Sequence, residues 1–158
     1  MGTDYSQVGE WRHYRVGAGV LVEDGQVLLV GNAWYAGQPL VWTVPGGRAE
    51  AEESVEAAAA REFAEETGLS VTVGPLLYVA EVRSLVRRQL FLTCAFRVTR
   101  TGGSLRPADP VAQAVRFVPL ADLPTVLPSP SLGAPLRHAL AHPADPPRYW
   151  FFPEYTTE

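Results

Sequence analysis

The chain has 158 residues, 47% of them hydrophobic and 19% charged, with a formal net charge of −4. Those values fit one globular domain (1–158) with a sizeable core and exclude a disordered or fibrous chain. The acidic balance argues against a broad electropositive face for nucleic acid, although a divalent cation can still join an acidic protein to a polyphosphate.

The N-terminal stretch MGTDYSQVGEWRHYR carries no apolar signal region, and no segment approaches about 18 consecutive apolar residues. The expectation is therefore a soluble, cytoplasmic protein with no membrane or nucleic-acid partner. Two apolar runs, HYRVGAGVLVED and QVLLVGNA, meet at Asp24-Gly25, a favoured dipeptide for a tight hairpin turn. A loop, WYAGQP, leads to the strand LVWTV, which is expected to end at Pro45-Gly46-Gly47. A helix follows over roughly Ser54 to Thr67, with Gly68 where a C-cap glycine belongs. Strands resume in SVTVGPLLYVAEVR, QLFLTCAFRVTR and AVRFVPL, with TGGSLRPADP as the loop between the last two. SLGAPLRHALAH reads as a second helix. Strands on both sides of one strong helix, with another helix late, predict an α+β or mixed sandwich.

The single Cys94 lies inside LFLTCAF, so it reads as a buried structural thiol; one cysteine makes neither a disulfide framework nor a cysteine-built zinc site. His13, His138 and His142 are scattered, which argues against a histidine metal cluster. The tail PPRYWFFPEY gathers Tyr149, Trp150, Phe151 and Phe152, which would be costly if exposed together. They are expected to pack on the domain or on a second copy in a homodimer.

The densest charge sits in REFAEETGL, where Glu62, Glu65 and Glu66 crowd behind Arg61. Like charges at i,i+4 repel by a few tenths of a kcal/mol per pair. On a wheel of about 100° per residue the three carboxylates share an arc of about 100°. Ala57, Ala60 and Ala64 fall opposite, with Phe63 beside them, and are expected to form the sheet-facing side. Convergent carboxylates suit a hard cation such as Mg²⁺, with Mn²⁺ as a second option. Paired glycines in VPGGRAEAEES let main-chain groups approach a ligand, and Arg61 can hold neighbouring carboxylates in place.

The stretch GRAEAEESVEAAAAREFAEETGL resembles the Nudix box, G-x5-E-x7-R-E-U-x-E-E-x-G-U. Gly47, Glu53, Arg61, Glu62, Phe63, Glu65, Glu66, Gly68 and Leu69 fill its defined positions. The strands before the box and VRFVPLADLP after it also look like the family, so the resemblance covers about residues 15–125; the C-terminal helix and tail, 126–158, lie outside it. Phe63 is bulkier than the usual aliphatic residue, and Glu52 stands where the family often carries glycine, which raises the question of positive φ there.

The resemblance implies a Nudix-type α/β/α sandwich with a mixed sheet and a Mg²⁺-dependent pyrophosphohydrolase acting on a nucleoside diphosphate linked to another moiety. Glu62, Glu65 and Glu66 would be metal ligands, joined by the Gly47 carbonyl, with Glu53, Arg61, Glu62 and Glu65 as the catalytic set. Glu53 either activates water or braces Arg61; its place on the ideal wheel, about 180° from Glu62, favours bracing. Outside the box, Glu81, Asp109 and Gln113 are the stand-ins for a general base, and none is assigned. Trp34, Tyr35, Arg48 and Arg83 are candidate substrate contacts, whereas Trp42 reads as core. The favoured substrate is a nucleoside triphosphate, with ADP-ribose or a dinucleoside polyphosphate as alternatives. A non-catalytic nucleotide sensor is the main competing class; the complete box counts against an isoprenyl diphosphate isomerase.

Overall fold

A computed structural model describes residues 10–33, 37–107 and 112–154, with the side chains of residues 112 and 113 outside the description. Trp34, Tyr35 and Asp109 therefore lie outside the described residues, as does the side chain of Gln113.

The first strand, β1 (Arg12–Val20), ends in four buried residues, so both of its faces are covered there. The chain then crosses to a second sheet through β2 (Val22–Glu23) and β3 (Gln26–Asn32). Asp24 and Gly25, with φ of 49° and 71°, make the turn between them, since both central residues of this hairpin type need the left-handed region. β4 (Val41–Thr43) pairs with the end of β3. β4 ends ahead of Pro45-Gly46-Gly47 as expected, yet Gly46 and Gly47 are themselves extended. They belong to β5 (Gly46–Arg48), antiparallel to β1 with Gly47 opposite Gly17. A Cβ on Gly46 would lie 2.6 Å from the Gly17 carbonyl oxygen, so the missing side chains are what allow this pairing.

After helix α1 (Val55–Thr67) come two long antiparallel strands, β6 (Leu69–Ser84) and β7 (Gln89–Gly103). One of their register shifts, between Val73 and Leu76, spans Gly74-Pro75, where a proline cannot donate to the ladder. β8 (Ala112–Pro119) runs along β3, and a 3-10 turn leads to the short α2 (Leu123–Val126) and to α3 (Pro130–Ala141). The aromatic tail forms β9 (Arg148–Phe152), parallel to β6. The tail thus packs on the chain's own sheet.

The first sheet has the order β5-β1-β7-β6-β9 with both parallel and antiparallel pairs; β3 organises the second, flanked by β8, β2 and β4. Two apolar clusters separate the layers. Val20, Val27, Leu29, Tyr78 and Leu136 belong to the cluster that α3 joins, whereas Leu21, Leu28, Leu69 and Val98 pack with Phe63 of α1. The result is the expected α+β sandwich, with α1 on one side of the β-layer and α3 on the other.

Candidate active site

Helix α1 is fixed at both ends. Ser54, in extended conformation, accepts a hydrogen bond from the Ala57 N–H on its Oγ (3.1 Å), and Gly68 closes the C-terminus at φ 76°. The helix lies close on β1 because Gly17 and Gly19 have no side chains. A Cβ on Gly17 would be 2.0 Å from the Val55 carbonyl oxygen, and one on Gly19 would be 2.6 Å from the Phe63 ring. The large Phe63 is thereby accommodated at 0% exposure.

The alanine face expected from the wheel is corrected by this packing. Ala58, Ala59, Phe63, Glu66 and Thr67 are the buried residues, while Ala57 is exposed. The only large apolar side chain of the helix's second half decides which side faces the sheet, because its burial outweighs that of several alanines. Glu66 and Glu62 flank that buried side, so they look into the helix–sheet junction rather than away from it. Glu66 is 8% exposed, the one buried carboxylate among the described residues. Glu65 is exposed at the edge.

Arg61 ties the loop to the helix. Its Nε and Nη2 both donate to the Glu53 carboxylate at 2.9 Å, the planar fork matching the two oxygens. Nη1 donates to Glu62 at 2.8 Å and reaches Glu65 at 3.3 Å; Nη2 also reaches the Arg48 carbonyl at 3.0 Å. The guanidinium, with help from the Glu50 N–H, holds the Glu53 carboxyl down from the ordinary 4.5 to about 2. The Glu53 carboxylate, and after it Glu62, raises the Arg61 pKa above its already high ordinary value. Glu53 precedes the helix and grips Arg61, the bracing geometry.

Arg15 was not singled out by the sequence, yet it braces the same loop, donating to the carbonyls of Glu53 (3.1 Å) and Glu50 (3.0 Å). No local pattern announces a contact spanning 38 positions. Glu52 is not among the residues with positive φ, so its side chain brings no left-handed strain to the loop. Gly47 meets Glu62 directly: a Cβ there would fall 2.2 Å from the Glu62 carboxyl carbon.

The remaining candidates divide. Arg48 lies with its guanidinium 3.8 Å over the Tyr14 ring, and Tyr14 stacks on Phe91 at 5.2 Å. Sequence reasoning missed both aromatics, whose pairing needs the parallel β1–β7 register. Arg83 turns to the tail, 5.0 Å from the Phe151 ring, and Glu81 accepts from the Tyr149 hydroxyl at 2.6 Å. Glu81 is thus engaged in holding β9. Trp42 packs partly buried against the larger core as expected, beneath Arg116 at 4.2 Å. Cys94 is half-buried rather than buried, and its burial still pushes the thiol pKa up, away from the thiolate a nucleophile needs.

Among the described residues, no three His, Cys, Asp or Glu side chains converge on one point to hold a metal ion; Glu53, Glu62 and Glu65 converge on Arg61 instead. The donor set nevertheless fits a hard divalent cation. It is all oxygen, includes the buried Glu66 carboxylate, and places Glu62 against bare main chain at Gly47. No helix among the described residues is long and apolar enough to cross a membrane.

The NUDIX domain family matches residues 12–142, and the chain belongs to that family. The match runs through α3, beyond the resemblance visible in the sequence. Over 89 residues the chain is 33% identical to the CTP pyrophosphohydrolase of Escherichia coli strain K12, covering 56% of this chain and 64% of that protein. Over 108 residues it is 33% identical to the ADP-ribose pyrophosphatase of Methanocaldococcus jannaschii, covering 67% of this chain and 62% of that one. Each match spans less than two thirds of the relative's own length. Among solved structures, a NUDIX hydrolase from Nitrosomonas europaea shares the fold at a TM-score of 0.74 and 20% identity, over 82% of this chain and 90% of the other.

Proposed function

We propose that this chain is a Mg²⁺-dependent pyrophosphohydrolase that cleaves a nucleoside diphosphate linked to another group, with nucleoside triphosphates as the favoured substrates. The observation that carries this reading is the Arg61 fork, which makes loop 50–53 and α1 one rigid unit beside Gly47. Rigid placement of charged groups is what phosphoryl transfer requires of a protein.

Glu62, Glu65 and Glu66, with the Gly47 carbonyl, would hold the cation. Bound there, it would neutralise charge on the phosphoryl oxygens and lower the pKa of the attacking water. Glu53 takes the two-toothed side of Arg61, whereas Glu62 and Glu65 meet the single Nη1. The two-point hold is on the residue assigned as brace, and two of the three residues assigned as ligands share the remaining nitrogen. Water adds to phosphorus, the bridging P–O bond breaks, and a triphosphate yields nucleoside monophosphate and pyrophosphate. Arg48, held over Tyr14 one strand from Gly17, is the substrate-side cation nearest the loop in sequence. Arg83, its guanidinium 5.0 Å from the Phe151 ring, is a second candidate substrate contact.

The named activities of the two curated relatives support pyrophosphate chemistry and set ADP-ribose as the second substrate class. A panel of nucleoside triphosphates and ADP-ribose with Mg²⁺ tests the reading, comparing wild type with Glu66→Gln. Release of nucleoside monophosphate is expected, falling by roughly two to three orders of magnitude in the variant, the size of losing one charge-stabilising group. Tight nucleotide binding without turnover across the panel would replace the enzyme by a sensor.

A further inference from the structure

Across the sheet from α1 lies a second cavity of about 430 Å³, within the range of small-ligand sites. Strand register fixes its side. Ala18 pairs with Ala95, Ala95 with Tyr78 and Tyr78 with Arg148, so these residues share one face. Gly17 and Gly19, on which α1 rests, alternate to the other face. The cavity is bounded by α3, β6, the start of β9 and the proline-rich strap 143–147.

Its lining is unlike a leftover packing void. Arg97 and Arg148 both line it, and among the described residues neither makes an ion pair with a carboxylate. Arg148 instead lies 4.4 Å over the Trp150 ring. His138 stacks on His142 at 4.5 Å and meets the edge of Trp150 at 5.7 Å. The cavity therefore joins flat aromatic surfaces to cationic donors, with Asp145 as its one acidic wall residue. Guanidiniums that stack on rings while keeping their N–H fork available suit phosphate or carboxylate groups attached to a flat ring. Trp150 gives its ring to the wall, whereas its Nε1 is itself buried and carries no part of the ligand contact.

We propose that this cavity is a second binding site, separate from the carboxylates of α1, for a small aromatic anion: a ring bearing a phosphate, of which a nucleoside monophosphate is the representative probe. The inference stands on this cavity alone and does not require the hydrolytic reading.

The test follows the tryptophan indole N–H signals of the full chain by NMR while cytidine or adenosine monophosphate is added, with inorganic phosphate and the free nucleosides as separate arms. Trp150→Phe assigns the signal. Saturable movement of the Trp150 signal is expected with the monophosphate, much weaker with either fragment, and unchanged in Glu66→Gln. Arg97→Gln, alone and combined with Arg148→Gln, should raise the half-saturating concentration at least tenfold while Mg²⁺-dependent activity stays at the wild-type level. Arg97→Gln alone guards against a double variant that fails to fold. A Trp150 signal that stays still, or a response that survives in Arg97→Gln, overturns the proposal. A full response to inorganic phosphate alone would also overturn it, reducing the site to a simple anion hole.

Discussion

Helices α1 and α3 cover opposite sides of the same β-layer, yet they are held in different ways. α1 is capped at both ends, rests on two glycines and is tied to its preceding loop by Arg61. α3 has Pro135 in its interior and no side-chain N-cap hydrogen bond; Leu136 anchors it in the larger core, and its tie to the preceding segment is one donation from Arg137 Nη1 to the Leu127 carbonyl (2.7 Å), against the several that Arg61 makes. Directional contacts fix the angle and register of a helix, whereas apolar burial fixes little beyond its contact face. The helix that carries the carboxylates is the one whose position is over-determined. That is what a site built from charges at defined distances needs.

The contrast can be broken first at its apolar anchors. Phe63→Ala should cost about 3–5 kcal/mol and Leu136→Ala about 2–5 kcal/mol, read from urea midpoints. Turnover per folded molecule should fall for Phe63→Ala, because Glu62 and Glu66 move with it, and hold for Leu136→Ala. Equal retention in both would remove the distinction between the helices.

Arg61→Lys keeps the charge but removes the fork. Activity should drop about 10–100-fold, the usual cost of losing a residue that orients ligands, with the melting temperature little changed. A lysine variant at wild-type activity would mean that the two-toothed hold on Glu53 is irrelevant.

The smallest expected effect is in acid. The folded-state pKa of Glu53, about 2, lies below the ordinary 4.5. Its contribution to stability is therefore fully present above about pH 4.5, fades as the pH falls toward 2 and is absent below. Glu53→Gln should flatten that part of the pH–stability curve and leave the neutral limb's slope unchanged. An unaltered acid limb would show that Arg61 does not hold Glu53 in solution.

Much of α1 was legible in the sequence because its signals are local: an alanine-rich stretch, a C-cap glycine and a spaced run of charges. The same chain hid which face it buries. Counting alanines pointed the wrong way, whereas the single Phe63 marked the core and stood within a turn of Glu62 and Glu66. Strand β5 was hidden because glycines read as breakers, and only the approach of β1 shows why they are there. β9 was hidden because its partner, β6, is parallel and about 70 residues distant, with Tyr78 opposite Arg148. The loop anchor Arg15, whose partner Glu53 is 38 positions away, and the Tyr14–Phe91 pair depend on distant partners too.

Manganese binding to the full chain, followed by titration calorimetry in parallel with activity, bears most directly on the role given to α1. Wild type should bind the ion and gain activity over the same concentration range, and Glu66→Gln should displace both curves together by at least tenfold. Identical manganese affinity in the two proteins, or activity that ignores the ion, would contradict the assignment.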